Sequence, residues 1–256
     1  MGGDASTSIL QRCLRYLRLV IQLILGLLTV ALLFPFYDRL RRWRAVQNWS
    51  RGVVRCAGVE VRRSGTVPEH GVPVMAVANH VSWLDVQVLH SVWHLRFVAK
   101  SEVRRWPLIG WLSARTGTLF VERANRRHAA RINSAIHQAF ADGDAVAVFP
   151  EGTTTRGDEL LRFHASLLQP AVDEQALIVP VAIRYTDGAG NLQPAAAYVG
   201  EMTLMESLAA IVRVPRIYAE VQFLPAIETN GRTRRELAQA SHASIAAALR
   251  LPAADS

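Results

Sequence analysis

No charged residue lies between Arg18 and Asp38. The 19 intervening residues read LVIQLILGLLTVALLFPFY, broken only mildly by Gln22, Gly26, Thr29 and Pro35. As a helix this run reaches about 28 Å, close to the roughly 30 Å of a bilayer core. A chain with such a run must bury it in protein or place it in lipid. Core helices of this length rarely lack charge throughout, so the membrane reading is preferred over a core helix. No small-residue cleavage site follows the run, which favours a retained anchor over a removed signal peptide.

Basic residues flank the run on both sides: Arg12, Arg15 and Arg18 before it, Arg39, Arg41, Arg42 and Arg44 after it. This symmetry leaves orientation open. Residues 37–57 read as a second helix, with Trp43, Val46, Trp49, Val53 and Ala57 at helical spacing and Arg on other faces. A basic helix with Trp on one side suits a membrane interface. The expectation is a membrane-dipping helical pair with both basic flanks on one side.

Charge divides the chain in the same place. The net +8 of the 256 residues lies wholly in residues 1–63, which hold 11 Arg and three acids; residues 64–256 hold 18 basic and 18 acidic side chains. A balanced body weakens a nucleic-acid-binding reading, which calls for a basic patch on the fold. Residues 1–63 are therefore read as N-terminal membrane-associated helices and residues 64–256 as a second domain. Cys13 and Cys56 stand in no C-x-x-C or Cys/His framework. At 50% hydrophobic and 20% charged, the chain has ample material for a core.

In the body, short apolar runs alternate with helical stretches. Strands are expected at 74–78, 97–99, 118–121, 145–149, 177–184 and 217–223. Helices are expected at 84–94, 126–141, 167–174 and 234–251, the last opened by a Thr233/Glu236 capping box. The alternation predicts an α/β fold, with a mixed, largely parallel sheet flanked by helices. Functional groups then gather in loops beyond strand C-termini.

Three such loops carry candidate chemistry. In Asn79-His80-Val81-Ser82-Trp83-Leu84-Asp85, the His and Asp would lie about 140° apart on one continuous helix, but across a strand–turn–helix junction they can meet. An Asp accepting from one imidazole nitrogen leaves the other as a general base. No G-x-S-x-G nucleophile elbow occurs, so such a pair would activate a substrate hydroxyl. Spacing alone weighs equally for a structural alternative, in which Ser82 and Asp85 form a capping box and His80 is a turn residue. The second loop, Phe149-Pro150-Glu151-Gly152-Thr153-Thr154-Thr155-Arg156-Gly157, has the glycines, hydroxyls and cation of an anion site, or of a solvated turn. The third strand ends on Arg123, a surface charge unless the other loops are near. Lys100, the sole lysine, also ends a strand. His90 and His94 have i, i+4 spacing but lack the Glu of H-E-x-x-H, and no metal is expected. Phosphate-loop and dinucleotide motifs are absent.

Together these segments resemble the lysophosphatidic acid acyltransferase (1-acylglycerol-3-phosphate O-acyltransferase) family of glycerolipid acyltransferases. N-H-x-x-x-x-D is Asn79–Asp85, G-x-x-F-x-x-R is Gly117–Arg123, F-P-E-G-T is Phe149–Thr153 and V-P-V is Val179–Val181, in the family's order. The resemblance implies that His80 is the general base, oriented by Asp85, and deprotonates the free sn-2 hydroxyl of lysophosphatidic acid. That hydroxyl attacks an acyl thioester on coenzyme A or acyl carrier protein, giving phosphatidic acid. No cofactor, metal or acyl-enzyme is implied. Arg123, Glu151, Gly152 and Thr153 match positions that bind the glycerol phosphate; Lys100 and Arg156 join them as candidates from charge and placement. The implied partners are membrane lipids, the lysophospholipid acceptor and the acyl carrier, with no nucleic acid. The implied location is the inner, cytoplasmic membrane with the catalytic domain facing the cytoplasm. One departure stands out: Thr154 follows F-P-E-G-T where the family often has Arg. A lyso-ornithine lipid acyltransferase of the same chemistry is the nearest alternative, a non-catalytic lipid-binding membrane protein the alternative from another class, and a hydrolase a weaker one.

Overall fold

The computed structural model describes residues 6–68, 72–121 and 126–251, with the backbone alone of residues 126–131. Helix α1 (Ile9–Leu28) opens on a reciprocal capping box between Ser8 and Gln11. It runs on through a π-helical turn (Thr29–Leu33) and a 3-10 turn (Phe34–Phe36) containing Pro35, which cannot continue the hydrogen-bond ladder. Asp38 then caps α2 (Arg39–Ala57). That helix stops at Gly58, whose φ of 82° is the left-handed conformation glycine adopts without strain.

The two helices pack as an antiparallel hairpin. The Trp49 indole donates to the Gln22 carbonyl at 2.6 Å, and the Gln22 amide donates back to the Trp49 carbonyl at 3.0 Å. Gly26 makes this approach possible: a methyl group there would lie 2.4 Å from the indole nitrogen. Ile9–Phe36 is long and apolar enough to cross a membrane, and only 17% of its most apolar stretch is buried. It is therefore not a core helix.

One expectation about this region is corrected. The Trp-bearing face of α2 does not look outward. Trp43 stacks on His94 with ring centroids 4.5 Å apart, and Val46, Val53, Val54 and Ala57 are buried. Those apolar positions are consumed in sealing the underlying helix and sheet. The two basic flanks lie at opposite ends of the hairpin: Arg15 reaches Val214 and Pro215 at one end, while Arg39 pairs with Asp144 at the other.

The remaining elements are β1 (Val59–Ser64), β2 (Val74–Ala78), α3 (Leu84–Val92), β3 (Arg96–Lys100), α4 (Ile109–Arg115), β4 (Leu119–Val121), α5 (Arg126–Ala141), β5 (Val146–Val148), α6 (Gln169–Asp173), β6 (Leu177–Thr186), α7 (Leu204–Arg213), β7 (Ile217–Phe223) and α8 (Arg234–Leu249). The strands form one seven-stranded sheet ordered β1-β7-β6-β2-β5-β3-β4. The pairs β2–β5, β2–β6, β3–β5, β3–β4 and β1–β7 are parallel; only β6–β7 is antiparallel. This is the mixed, largely parallel sheet expected. β2, at its centre, is buried along its whole length, as a strand covered on both faces must be. Ala76 and Ala78 pack with Leu84, Val88 and Leu89 of α3 and Ile211 of α7. Met75 and Val77 pack on the other side with Ile136 of α5 and Leu237 and Ile245 of α8.

Residues 59–63, grouped on sequence with the N-terminal helices, form the edge strand β1, paired to the distant β7. Its exposed Glu60, Arg62 and Arg63 hide the apolar pattern of a strand. Helices α4 and α7 were likewise unanticipated, although α7 opens on a Thr203/Glu206 capping box, the same signal that marks α8. Helix α3 ends at Val92 because Trp93 is extended, at φ −146° and ψ 143°. His94 therefore leaves the helix and the i, i+4 geometry with His90 does not form.

If the Gly26–Trp49 contact sets the hairpin spacing, Gly26→Ala must push α1 off α2. The expected cost is about 1–3 kcal/mol, as for other overpacked contacts, read as a lowered unfolding temperature in detergent. An unchanged transition would show that the hairpin does not depend on this contact.

Candidate active site

Every parallel strand of the central group ends on one edge of the sheet, and the candidate loops leave from there. β2 leads directly into Asn79 and His80. The buried Asn79 side chain continues the strand ladder: its amide donates to the Ile183 carbonyl at 2.9 Å and its oxygen accepts from the Ile183 N–H at 2.8 Å. The chain then turns into α3, bringing His80 and Asp85 together. His80 Nδ1 and Asp85 Oδ2 are 2.7 Å apart.

Asp85 is the most heavily bonded side chain of the site. Its Oδ2 also accepts from the Val81 and Ser82 N–H groups, at 2.8 and 2.9 Å. Its Oδ1 accepts from the Tyr185 hydroxyl at 2.7 Å. The carboxylate is fully buried. Burial, followed by the charge of Asp85 and the bond to it, holds the Tyr185 phenol well above its ordinary pKa, so it stays a donor. With Asp85 accepting, Nδ1 carries the proton and the Nε2 lone pair is left over. Among the described residues Nε2 has no hydrogen-bond partner, and the imidazole is 20% exposed. The capping-box alternative is realised only in its return half: Asp85 bonds the Ser82 N–H, while the buried Ser82 hydroxyl has no hydrogen-bond partner among the described residues.

The loop after β5 is built against this pair. The Phe149 ring stacks on the His80 imidazole, centroids 4.0 Å apart and 13° from parallel. Glu151 Oε1 accepts from the His80 N–H at 2.7 Å and Oε2 from the Leu161 N–H at 2.9 Å. Both oxygens are thus spent on backbone, which makes Glu151 a strut between two loops. Burial raises its pKa to about 7; the N–H groups of Leu161 and His80 and the charge of His80 oppose the rise, and Asp85 adds to it. Gly152 sits at φ 71°, closing the turn through its N–H to the Phe149 carbonyl at 3.0 Å. Thr153 and Arg156 are exposed. The Thr154 hydroxyl is directed to the Tyr198 carbonyl, and the Thr155 N–H donates to the His80 carbonyl at 2.9 Å.

Lys100 is exposed at the end of β3, in register with Val121 of β4. Since β5 lies between β2 and β3, Lys100 stands two strand spacings from the His80 loop, roughly 10 Å. Arg123, two residues beyond β4, lies outside the described residues. Tyr185 was not anticipated: it is far from the His80 loop in sequence, and an apolar strand reading gives no cue that its hydroxyl meets Asp85. The arrangement provides a hydrogen-bonded imidazole with one nitrogen available and no positioned enzyme nucleophile among the described residues. That combination can remove a proton from a substrate hydroxyl.

The family model Acyltransferase matches residues 58–184, a span that contains all four sequence segments. The chain belongs to the acyltransferase family that includes the 1-acyl-sn-glycerol-3-phosphate acyltransferases. It is 37% identical over 216 residues to a lyso-ornithine lipid O-acyltransferase of Pseudomonas aeruginosa, covering 84% of this chain and 80% of that protein. It is 36% identical over 183 residues to a 1-acyl-sn-glycerol-3-phosphate acyltransferase of Neisseria meningitidis, covering 72% and 71%. The fold matches the crystal structure of the 1-acyl-sn-glycerophosphate (LPA) acyltransferase PlsC from Thermotoga maritima with a TM-score of 0.70, over 94% of both chains at 19% identity.

The Glu151 strut has a pH signature. Its folded pKa of about 7 exceeds the ordinary 4.5, so the native state holds a proton that the unfolded chain has released. The resulting stability is complete below pH 4.5 and is lost as pH rises toward and through 7. Melting curves across this range should show that decline in the native protein and a flatter profile in Glu151→Gln. Equal slopes would remove Glu151 as its source. Tyr185→Phe should cost about 1.5–3 kcal/mol, the worth of a hydrogen bond to a charged group, measured in the same melts.

Proposed function

We propose that the protein is a membrane-bound enzyme that moves a fatty acyl group from an acyl thioester to the free sn-2 hydroxyl of lysophosphatidic acid. The observation that carries this reading is the His80 imidazole, bonded through Nδ1 to Asp85 and without a partner at Nε2 among the described residues, in a chain of this family. His80 Nε2 takes the hydroxyl proton as the oxygen attacks the thioester carbonyl. The C–S bond then breaks, and the departing thiolate of coenzyme A or acyl carrier protein takes the proton back from the imidazolium. The ester bond is made and the enzyme returns to its starting state without an acyl-enzyme or a metal. Asp85 holds the tautomer and balances the imidazolium charge. Arg123, Lys100 and Arg156 are the cations for the acceptor phosphate, and Gly152 and Thr153 line its approach. Glu151 acts by holding the His80 loop, since its oxygens are occupied.

The exposed apolar face of α1 supports attachment to the membrane. Because α1 lies along α2, against the body of the fold, we place it in the plane of the interface, with the catalytic edge on the cytoplasmic side of the inner membrane. A second reading, lyso-ornithine lipid as acceptor, is favoured by Thr154. Its hydroxyl is turned to backbone where the family often has a cation, and several relatives, including those from Pseudomonas aeruginosa and Brucella abortus, are named for that substrate.

Purified protein given labelled acyl-CoA or acyl-acyl carrier protein, with lysophosphatidic acid or lyso-ornithine lipid, separates the readings by product. Phosphatidic acid is the expected product; ornithine lipid alone would install the second reading, and no product from any pair would overturn both. His80→Ala should reduce turnover by about 10²–10⁴-fold, the usual worth of a positioned base, in protein that still folds, as its far-ultraviolet circular dichroism would show. Full activity in that variant would dismiss His80 as the base.

A further inference from the structure

A cavity of about 800 Å³ opens where α1, α2, β1 and the start of β7 meet. No described residue of the His80 or Glu151 loops lines it. Six guanidinium groups do: Arg15, Arg18, Arg51, Arg55, Arg63 and Arg216, against one carboxylate, Glu60. Three of the six are engaged. Arg15 donates to the carbonyls of Val212, Val214 and Pro215. Arg51 donates to the Ser91 carbonyl at 2.8 Å, and Arg216 pairs with Glu60 at 3.3 Å. The guanidinium groups of Arg18, Arg55 and Arg63 have no hydrogen-bond or ion-pair partner among the described residues. Among the described residues, nothing neutralises this local excess of positive charge.

The geometry points to a binding site for the phosphate of an anionic membrane phospholipid, distinct from the acyl-acceptor site. Guanidinium forks match phosphate oxygens in shape and charge, and the volume suits a whole head group. What identifies a lipid rather than a soluble anion is continuity. Arg15 and Arg18 stand on α1 directly before its uncharged run. Val20, Ile21, Ile24, Leu25 and Leu28 follow along the same helix, each at least 46% exposed. A phosphate in the cavity can therefore extend its acyl chains along an apolar surface. The inference rests on the membrane placement of α1 proposed above. It adds a fixed lipid that would hold the hairpin and the sheet edge at one depth.

Two measurements test it separately. Flotation of the full chain with phosphatidylcholine vesicles asks whether the chain binds membrane at all. Native mass spectrometry in detergent then counts phosphatidylglycerol and phosphatidylcholine retained by the protein. The expected result is flotation, with preferential retention of phosphatidylglycerol. In R18Q/R55Q/R63Q that affinity should fall on the order of a hundredfold, from about fivefold per arginine. The variant R232Q/R235Q/R250Q removes the same charge from exposed positions on and beside α8, and should retain the lipid. Flotation without any preference for phosphatidylglycerol overturns the lipid site and leaves the membrane placement standing; failure to float overturns both. Equal losses in the two triple variants overturn a site in favour of net charge. If the first triple variant fails to fold, R55Q alone should show the fivefold loss, and wild-type affinity there overturns the proposal.

Discussion

Everything at the candidate active site depends on one buried carboxylate. Asp85 is removed from water and accepts from the Val81 and Ser82 N–H groups, from His80 and from Tyr185. Burying a carboxylate is costly unless its oxygens are satisfied, and these four donors satisfy it. They also determine the turn. Two backbone donors fold residues 81–82 around the carboxylate, the imidazole is drawn to the same oxygen, and Tyr185 anchors the other oxygen to the neighbouring strand. The Asn79 side chain stitches the adjacent residue to that same strand. The proposed proton acceptor must be held in one tautomer and one orientation to act on a hydroxyl, and the holding is distributed over β2, α3 and β6.

Glu151 extends this logic across the sheet. It joins the loop after β5 to the loop after β2 through two backbone N–H groups, while Phe149 stacks under the imidazole. A carboxylate amid proposed phosphate ligands is puzzling if it is to meet the phosphate, since like charges repel. It is understandable as a strut, because its oxygens face the protein. The hairpin of α1 and α2 adds a second theme. α2 turns its apolar face inward and α1 turns much of its own outward, so one helix belongs to the core and the other to the proposed membrane surface. Gly26 and the Trp49–Gln22 bonds join the two.

Much of this was legible residue by residue. The central strands announced themselves because strands covered on both faces are continuously apolar, and β7 occupies the expected residues 217–223. The Thr233/Glu236 capping box marked the start of α8 because its bonds are local. His80 and Asp85 were legible as a pair only up to a choice between catalysis and capping, for spacing does not state which donors a carboxylate will meet. β1 was missed because its partner β7 is distant and its outward residues are charged. The Trp stripe of α2 was assigned to the membrane because an apolar stripe has the same pattern whether lipid or protein covers it.

The sequence by itself determined which residues are candidates for chemistry, that the body alternates strand and helix, and that the positive excess lies in the first 63 residues. These follow from composition, short-range spacing and turn chemistry, which act within a few residues. Only the tertiary structure decided that Tyr185 completes the Asp85 shell, that both oxygens of Glu151 are bound to backbone, and that Arg15, Arg18, Arg55, Arg63 and Arg216 converge on one cavity. Each of these joins segments far apart in the chain. Such contacts form when strand order and helix packing bring the segments together, and no local pattern encodes them.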